Sequence, residues 1–448
     1  MTKRAESEQK KAESEKGITR ISVRGFKSLA EECSIQIRPL TILAGANSSG
    51  KSSIMQPLLL LKQTLECPYD PGPLLLDGPN VRFTSPDQFL SGTVLTNFVR
   101  DRFQVTVNTL PSAYVAETFR KKTDTEIELI ESIYDLDDKQ CRLRPGMRHE
   151  EVATQIGRLG GAYETLARVG PWEIQWEVSC DRCFLYATDY IITNGQKSAT
   201  IFGPVTTASR FAAQIKNLIH VPALRGNPVR SYRKAAVGPD FPGTFENYVA
   251  SVINHWQRTK DARLEELGGN LKNLGLTWKV EATELDATRV ELRVGRCLQS
   301  EADDMVNIAD VGFGVSQVLP VLVALLVAEP GQMVYLEQPE LHLHPKARVA
   351  LAGILADAAK RGVRVVAETH SALLLLAVQT LVAKGSISPE NVILHWFKRG
   401  DDGVTKVTSA ELDEAGAFGE DWPEDFGDVE LEAESEYLKA AESRLMKR

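Results

Sequence analysis

Hydrophobic and polar positions along the chain change pattern twice, and the changes mark out its organisation. Residues 21–27 (Ile-Ser-Val-Arg-Gly-Phe-Lys) and 33–37 (Cys-Ser-Ile-Gln-Ile) alternate, which predicts half-buried strands; the Leu-Thr-Ile-Leu run at 40–43 predicts a buried strand feeding a helix over 52–65. The middle third differs, with amphipathic strand candidates at 125–134 and 172–178 and helices expected near 149–169 and 244–267. Beyond about residue 307 long apolar runs return, separated by helices such as 346–361, as a parallel sheet buried on both faces requires. The expectation is an α/β fold, with the halves of one domain (18–100 and 297–395) flanking an inserted α+β domain (101–296). Residues 1–17 are charged and nearly free of bulky apolar groups, so they read as a disordered tail, and 396–448 as a small acidic C-terminal segment packing on the main body.

Composition narrows the class. The apolar runs at 318–328 and 372–378 fall short of the ~20 residues a membrane helix needs, and no signal peptide is evident, so a cytoplasmic protein without a membrane partner is expected. Fifty-two basic and 60 acidic residues give a formal charge of −8, which excludes a generally basic nucleic-acid-coating surface but allows a local basic groove. Six scattered cysteines fit a reduced compartment. Cys180 and Cys183 form a lone C-x-x-C without a second pair at zinc spacing, and read as incidental.

The chemistry begins at Gly45-Ala-Asn47-Ser48-Ser49-Gly50-Lys51-Ser52-Ser53, a G-x-x-x-x-G-K-S loop between the strand and the helix. Glycines let the backbone fold around phosphates, amide groups and the helix N-terminus attract anions, Lys51 reaches the β and γ oxygens, and Ser52 can ligate Mg²⁺. In the second constellation, Met333-Val-Tyr-Leu-Glu337-Gln338-Pro-Glu340-Leu-His342-Leu-His344, an apolar strand ends in acids. Glu337 stands where a carboxylate can hold Mg²⁺ through its water shell. A third strand, ending in Glu-Thr-His370-Ser, offers a histidine to a γ-phosphate or its attacking water, beside the Glu337 strand. Fourth, Gly312, Gly314, Ser316 and Gln317 open an apolar helix and read either as a second phosphate site, suggesting ATP held between two subunits, or as a helix with a glycine-rich entry.

Taken together, "RGFKSL", the GxNxSGKS loop, the long insertion, the signature-like loop, "LEQPELHLHP" and "ETHS" resemble the prokaryotic ABC/SMC-head-like AAA-family ATPases related to the OLD and PtuA proteins. The segment "ENVILHWFKRGDDG…WPEDFGD" is similar to a small C-terminal domain of unknown function in a subset of them. The resemblance covers about residues 18–100 and 300–430. It implies a P-loop NTPase of ABC/SMC-head type that binds ATP and Mg²⁺ as a homodimer or higher homo-oligomer. Gly45, Asn47, Gly50, Lys51, Ser52 and Ser53 would bind phosphates, Ser52 and Glu337 the metal, His370 would be the switch histidine, and the 312–317 loop would act on the partner's ATP. The usual catalytic glutamate position holds Gln338, which orients water but cannot take its proton; Glu340 is the nearest replacement base. DVGFGVSQ also departs from the usual LSGGQ, leaving open whether Gly312 or Ser316 meets the phosphate.

No heptad run crosses the insertion, so long SMC-type arms are not expected. Within it Arg225, Arg230, Arg233 and Lys234, beside Tyr232, read either as a nucleic-acid or phosphate contact or as a solvated loop. His342 and His344 read as metal ligands or, from the resemblance, as a subunit-contact loop. Two functions stay open: a slow Mg²⁺-ATPase that gates a separately encoded effector protein in antiphage defence or DNA repair, or a nucleotide-sensing scaffold without useful hydrolysis.

Overall fold

A computed structural model describes residues 17–92, 101–109, 112–158, 173–193, 196–198, 207–296 and 304–419, with single positions at 435 and 439. The tail up to residue 16, the second half of the helix expected over 149–169 and the segment around Trp422 lie outside the described residues.

The chain opens with β1 (Ile18–Arg24), β2 (Cys33–Gln36), β3 (Leu40–Gly45) and α1 (Lys51–Glu66). Next come β4 (Arg102–Thr109), β5 (Ala113–Lys121), β6 (Ile127–Leu136), β7 (Lys139–Leu143) and α2 (His149–Arg158). β1 pairs with both β2 and β4, so the alternating N-terminal strands and β4 to β7 form one antiparallel sheet, ordered β2-β1-β4-β5-β6-β7. β4 alternates strictly between half-buried and buried positions, as a sheet with one covered face should. A three-stranded sheet of β8 (Glu173–Asp181), β9 (Phe184–Thr193) and β10 (Gln196–Ser198) follows, then α3 (Thr207–Lys216) and β11 (Ile219–Val221).

Downstream are β12 (Tyr232–Arg233), α4 (Val249–Thr259), α5 (Arg263–Asn273), β13 (Val280–Glu284), β14 (Arg289–Gly295) and β15 (Met305–Asn307). They lead to α6 (Phe313–Val327), β16 (Met333–Glu337), α7 (Pro345–Lys360), β17 (Arg364–Thr369), α8 (Ala372–Ala383), β18 (Val392–Arg399) and β19 (Thr405–Ala410). The second large sheet runs β11-β16-β17-β3-β18-β19, parallel except for the final pair. Residues 219–221, within the span read as an insertion, thus form one edge of this sheet, and β18 runs across position 396 to lie directly beside β3.

The central strands are buried on both faces, so their sequences do not alternate in polarity; the two-residue period survives in which core each side chain enters. Leu40, Ile42, Ala44, Val334, Leu336, Val365 and Ala367 join the core under α6, α7 and α8. Leu43, Met333, Tyr335, Val366 and Phe397 join the core shared with α1 and the antiparallel sheet. Among the described residues, no helix is long and apolar enough to cross a membrane.

Close approach of β18 to β3 sets one glycine. Gly45 has φ +146°, and a Cβ there would stand 2.4 Å from the Phe397 carbonyl oxygen of its register partner. Gly45→Ala should therefore lower unfolding free energy by at least about 2 kcal/mol, since strained φ alone costs of that order. Chemical denaturation at unchanged midpoint would contradict this packing.

Candidate nucleotide site

The three central strands end level with one another. Parallel register places Glu337 opposite Glu368, Glu368 opposite Leu43 and Thr369 opposite Ala44, so the ends of β16 and β17 flank the start of the 45–53 loop. Ligands in open α/β sheets collect at this carboxyl edge. A cleft of about 720 Å³ opens there, lined by residues 47–53 of the loop, by Lys27, Gln56, Gln338, Glu368 and His370, and by Arg399. That volume suits a nucleotide-sized ligand.

The loop is held open by backbone geometry and by β19. Gly50 (φ +102°) caps α1, and a Cβ there would meet Thr405 Oγ1 at 2.7 Å. Thr405 Oγ1 donates to the Ser49 carbonyl at 2.7 Å, while its amide donates to the Ser28 carbonyl at 2.8 Å. Lys51 Nζ donates to the carbonyls of Gly45 (3.0 Å) and Ala46 (2.7 Å), lying across the loop it serves. Burial lowers the Lys51 pKa, against the pull of Glu368 and Glu340. Ser49 Oγ is buried with no hydrogen-bond partner, an orphaned donor inside an anion-binding loop. This donor set fits a nucleotide phosphate chain. The paired Ser52 hydroxyl and Glu368 carboxylate fit a hard, oxygen-seeking cation beside it.

The residues singled out from sequence divide at this edge. Asn47, Ser48, Ser49, Gly50, Lys51, Ser52, Ser53, Gln338 and His370 line the cleft. Gln338 holds φ +45°, and its amide donates to the Glu368 carbonyl at 2.9 Å. His370 Nδ1 lies 2.8 Å from the Gly45 carbonyl, an atom that only accepts, so Nδ1 carries the proton. Burial, then the nearby Lys51 charge, lowers the His370 pKa, and the neutral ring presents Nε2 as an acceptor. In this tautomer Nε2 would receive a hydrogen bond rather than donate one to a γ-phosphate or an attacking water.

Glu337 does not line the cleft. Its Oε1 pairs with His220 Nε2 at 3.2 Å and its Oε2 accepts from the Ala223 amide at 3.1 Å, both on the β11 side. Burial opposes its charge, but the His220 hydrogen bond, the Ala223 amide and the Arg225 charge hold its pKa below the usual value. Glu340 is buried below the cleft, where one carboxylate oxygen accepts from Thr369 Oγ1 and from the His370 amide; it braces the turn that carries His370. Its second oxygen is buried without a hydrogen-bond partner.

The loop at the start of α6 stands apart from this cleft. Phe313 is 52% exposed, its ring 6.0 Å from that of His342, and Ser316 Oγ donates to the Phe313 carbonyl. Gln317, expected to face an anion, is instead turned inward, its amide nitrogen donating to the Gly226 carbonyl at 2.8 Å. His344 caps α7. Among the described residues no group of three or more His, Cys, Asp and Glu could hold a metal, and Cys183 is buried while Cys180 is exposed.

The basic cluster is also redistributed. Arg225 is buried, donating to the carbonyls of Gln317 (3.0 Å), Glu337 (2.7 Å) and Gln338 (3.1 Å), and burial lowers its pKa to about 10. Arg230 pairs with Asp310 and Lys234 with Glu284, and Arg233 is exposed. Arg225 therefore cannot present its guanidinium to a nucleic-acid backbone: it is a strut between the α6 start and the β16 end.

Sequence reasoning missed Glu368, Tyr335, His220 and Thr405. Glu368 Oε1 accepts from Ser52 Oγ at 2.9 Å and Oε2 from Tyr335 Oη at 2.9 Å. Burial, then the like charge of Glu337, raises its pKa. Its signal in the sequence is its place directly before the Thr-His-Ser run at a strand end.

Two stretches of the chain that carry these elements match known families. Residues 17–141, which hold the phosphate loop, match the family model described as "AAA ATPase domain". Residues 173–377, which hold Glu337, Glu368 and His370, match that described as "AAA domain, putative AbiEii toxin, Type IV TA system". The chain is similar to AAA-family ATPases. No curated protein matches it. Among solved structures, an SMC head bound to the C-winged helix domain of ScpA is 12% identical, with 89% of this chain and 99% of that one covered and a TM-score of 0.50. The SMC head domain from Thermotoga maritima (12% identity, 88% and 98% covered, TM-score 0.36) and the SMC head with an extended coiled coil bound to the C-terminal domain of ScpA from Pyrococcus furiosus (11%, 88% and 96%, TM-score 0.40) are also similar. At this identity the first shows the fold alone, a mixed α/β fold like that of an SMC head. The family matches and the loop agree with one another: both are what a nucleotide-binding ATPase domain carries.

Arg225→Met keeps the aliphatic bulk but strips three buried carbonyls of a donor, and should lower unfolding free energy by on the order of 3 kcal/mol. A denaturation midpoint equal to wild type would show that the strut carries no weight.

Proposed function

We propose that this chain is a slow, Mg²⁺-dependent ATPase that closes into a dimer on ATP and thereby gates a separate effector protein, in antiphage defence or DNA repair. The observation that carries the slow turnover is Gln338. It lines the cleft where this fold's general base is expected, and its amide can hold a water in place without removing its proton. In-line attack on a γ-phosphate depends mainly on positioning and charge neutralisation, which Lys51, the loop amides and His370 supply. His370 Nε2 is the acceptor nearest to the task. Glu340, braced below Thr369 and His370, positions that histidine rather than reaching the reacting water.

When bound, Mg²⁺ would supply positive charge to offset that of the phosphate oxygens. Ser52 and a strand-end carboxylate would hold it. The dimer rests on two features. The α6 entry lies outside the chain's own cleft, with Gly312, Gly314 and Ser316 unspent on it, and Phe313 is exposed beside His342. A second copy's cleft is the natural complement. Gln338 equally favours a sensor that binds ATP without useful hydrolysis, and turnover separates the two.

Phosphate release and sedimentation in saturating ATP decide. Wild type should release phosphate slowly and sediment as a dimer, and Lys51→Ala should do neither. Gln338→Glu should speed release by at least about tenfold, part of the roughly 10²–10⁴ a positioned base contributes. Equal background rates in all three would end the enzyme reading in favour of the sensor, and a strict monomer at saturating ATP would remove the dimer.

A further inference from the structure

Two carboxylates end adjacent strands here, and they are committed to opposite sides. Both Glu337 oxygens are taken by the β11 edge, one by His220 Nε2 and the other by the Ala223 amide. His220 is itself fixed, stacked on Tyr335 with centroids 5.4 Å apart and paired through Nδ1 with Asn80 Oδ1 at 3.1 Å. Arg225 closes the same side by gripping the Glu337 and Gln338 carbonyls. Turning Glu337 toward the loop would leave a buried histidine and a backbone amide without their acceptor, and buried polar groups left unpaired are costly.

Glu368 has the opposite arrangement. It is the carboxylate in the cleft lining and the one that touches the loop: Ser52 Oγ donates to its Oε1 at 2.9 Å. Tyr335 Oη fixes the other oxygen at 2.9 Å, so the head group is held in one orientation by a buried phenol. The residue sits on β17, which lies between β16 and β3, one strand nearer the loop than Glu337. A cation binding the Ser52 hydroxyl would enter between two oxygens already in hydrogen-bond contact. Hard divalent cations take such hydroxyl and carboxylate oxygens, with waters completing an octahedron.

We infer that Glu368, rather than Glu337, is the protein carboxylate that holds the nucleotide-bound divalent cation in this chain, and that Glu337 is a positioning residue anchoring β16 to β11. This rests on the nucleotide-binding reading above and specifies its metal site. The His220–Glu337 pair then sets the end of β16, and with it the left-handed Gln338 that faces the cleft.

The test uses the full chain and equilibrium binding of a fluorescent, non-hydrolysable ATP analogue, measured in excess EDTA and in excess Mg²⁺ or Mn²⁺. The ratio of the two affinities reads the metal's contribution and is independent of turnover. Glu368→Gln keeps acceptors for Ser52 and Tyr335 but removes the charge, so it should bind in EDTA yet lose about tenfold or more of the metal-dependent gain, the scale at which metal sites respond to lost supporting groups. Glu337→Gln should keep the gain to within about threefold, with its cost seen in the denaturation midpoint. Glu368→Asp, which retains the charge on a shorter arm, provides an intermediate should the glutamine variant fail to fold. A gain lost in Glu337→Gln and kept in Glu368→Gln, or unaffected by either, would overturn the inference. Failure of the wild-type chain to bind the analogue under either condition would instead remove the nucleotide-binding reading itself.

Discussion

Parallel register among β16, β17 and β3 is the constraint on which the rest of this molecule depends. Three largely apolar strands, each buried on both faces, align so that their C-terminal ends fall on one level. A slip of one residue along β17 would send Glu368 into the helical core and Val365 into the cleft-side core, since the side-chain period is two. The split of each strand's residues between two hydrophobic cores makes such a slip costly. The register therefore brings Glu368, Gln338 and His370 to one cleft beside Ser52.

Two struts carry that order outward. The β18–β19 hairpin presses on the loop from one side, through the Phe397 carbonyl at Gly45 and Thr405 at Gly50 and Ser49. On the other side Arg225 joins the first turns of α6 to the last residues of β16. Any displacement of the α6 entry would thus be felt at Gln338 through the three hydrogen bonds of Arg225. Coupling of this kind is a physical connection between two places, and double-mutant cycles measure its size.

Much of the sheet was legible in the sequence, because long apolar runs and the glycine-lysine loop are local signals. The strands at 40–43 and 333–337, the helix at 346–361 and the adjacency of the His370 strand to the Glu337 strand all follow from run length and crossover geometry. What stayed hidden depends on contacts between distant segments. No local pattern tells that Ser52 meets Glu368 or that Thr405 braces Ser49. The cluster around Arg225 looked exposed because it is rich in charge and turn residues, yet the guanidinium is buried by the carbonyls it serves. Likewise, which of two acids faces the loop depends on His220, from a three-residue strand too short to announce itself.

The most direct test of nucleotide binding at the ends of β3, β16 and β17 is amide hydrogen exchange of the full chain with and without Mg²⁺ and ATP. Exchange should slow in peptides spanning 45–53 and 366–371, and this slowing should be absent in Lys51→Ala. Unchanged exchange in both segments at saturating nucleotide, with protection elsewhere or nowhere, would contradict it.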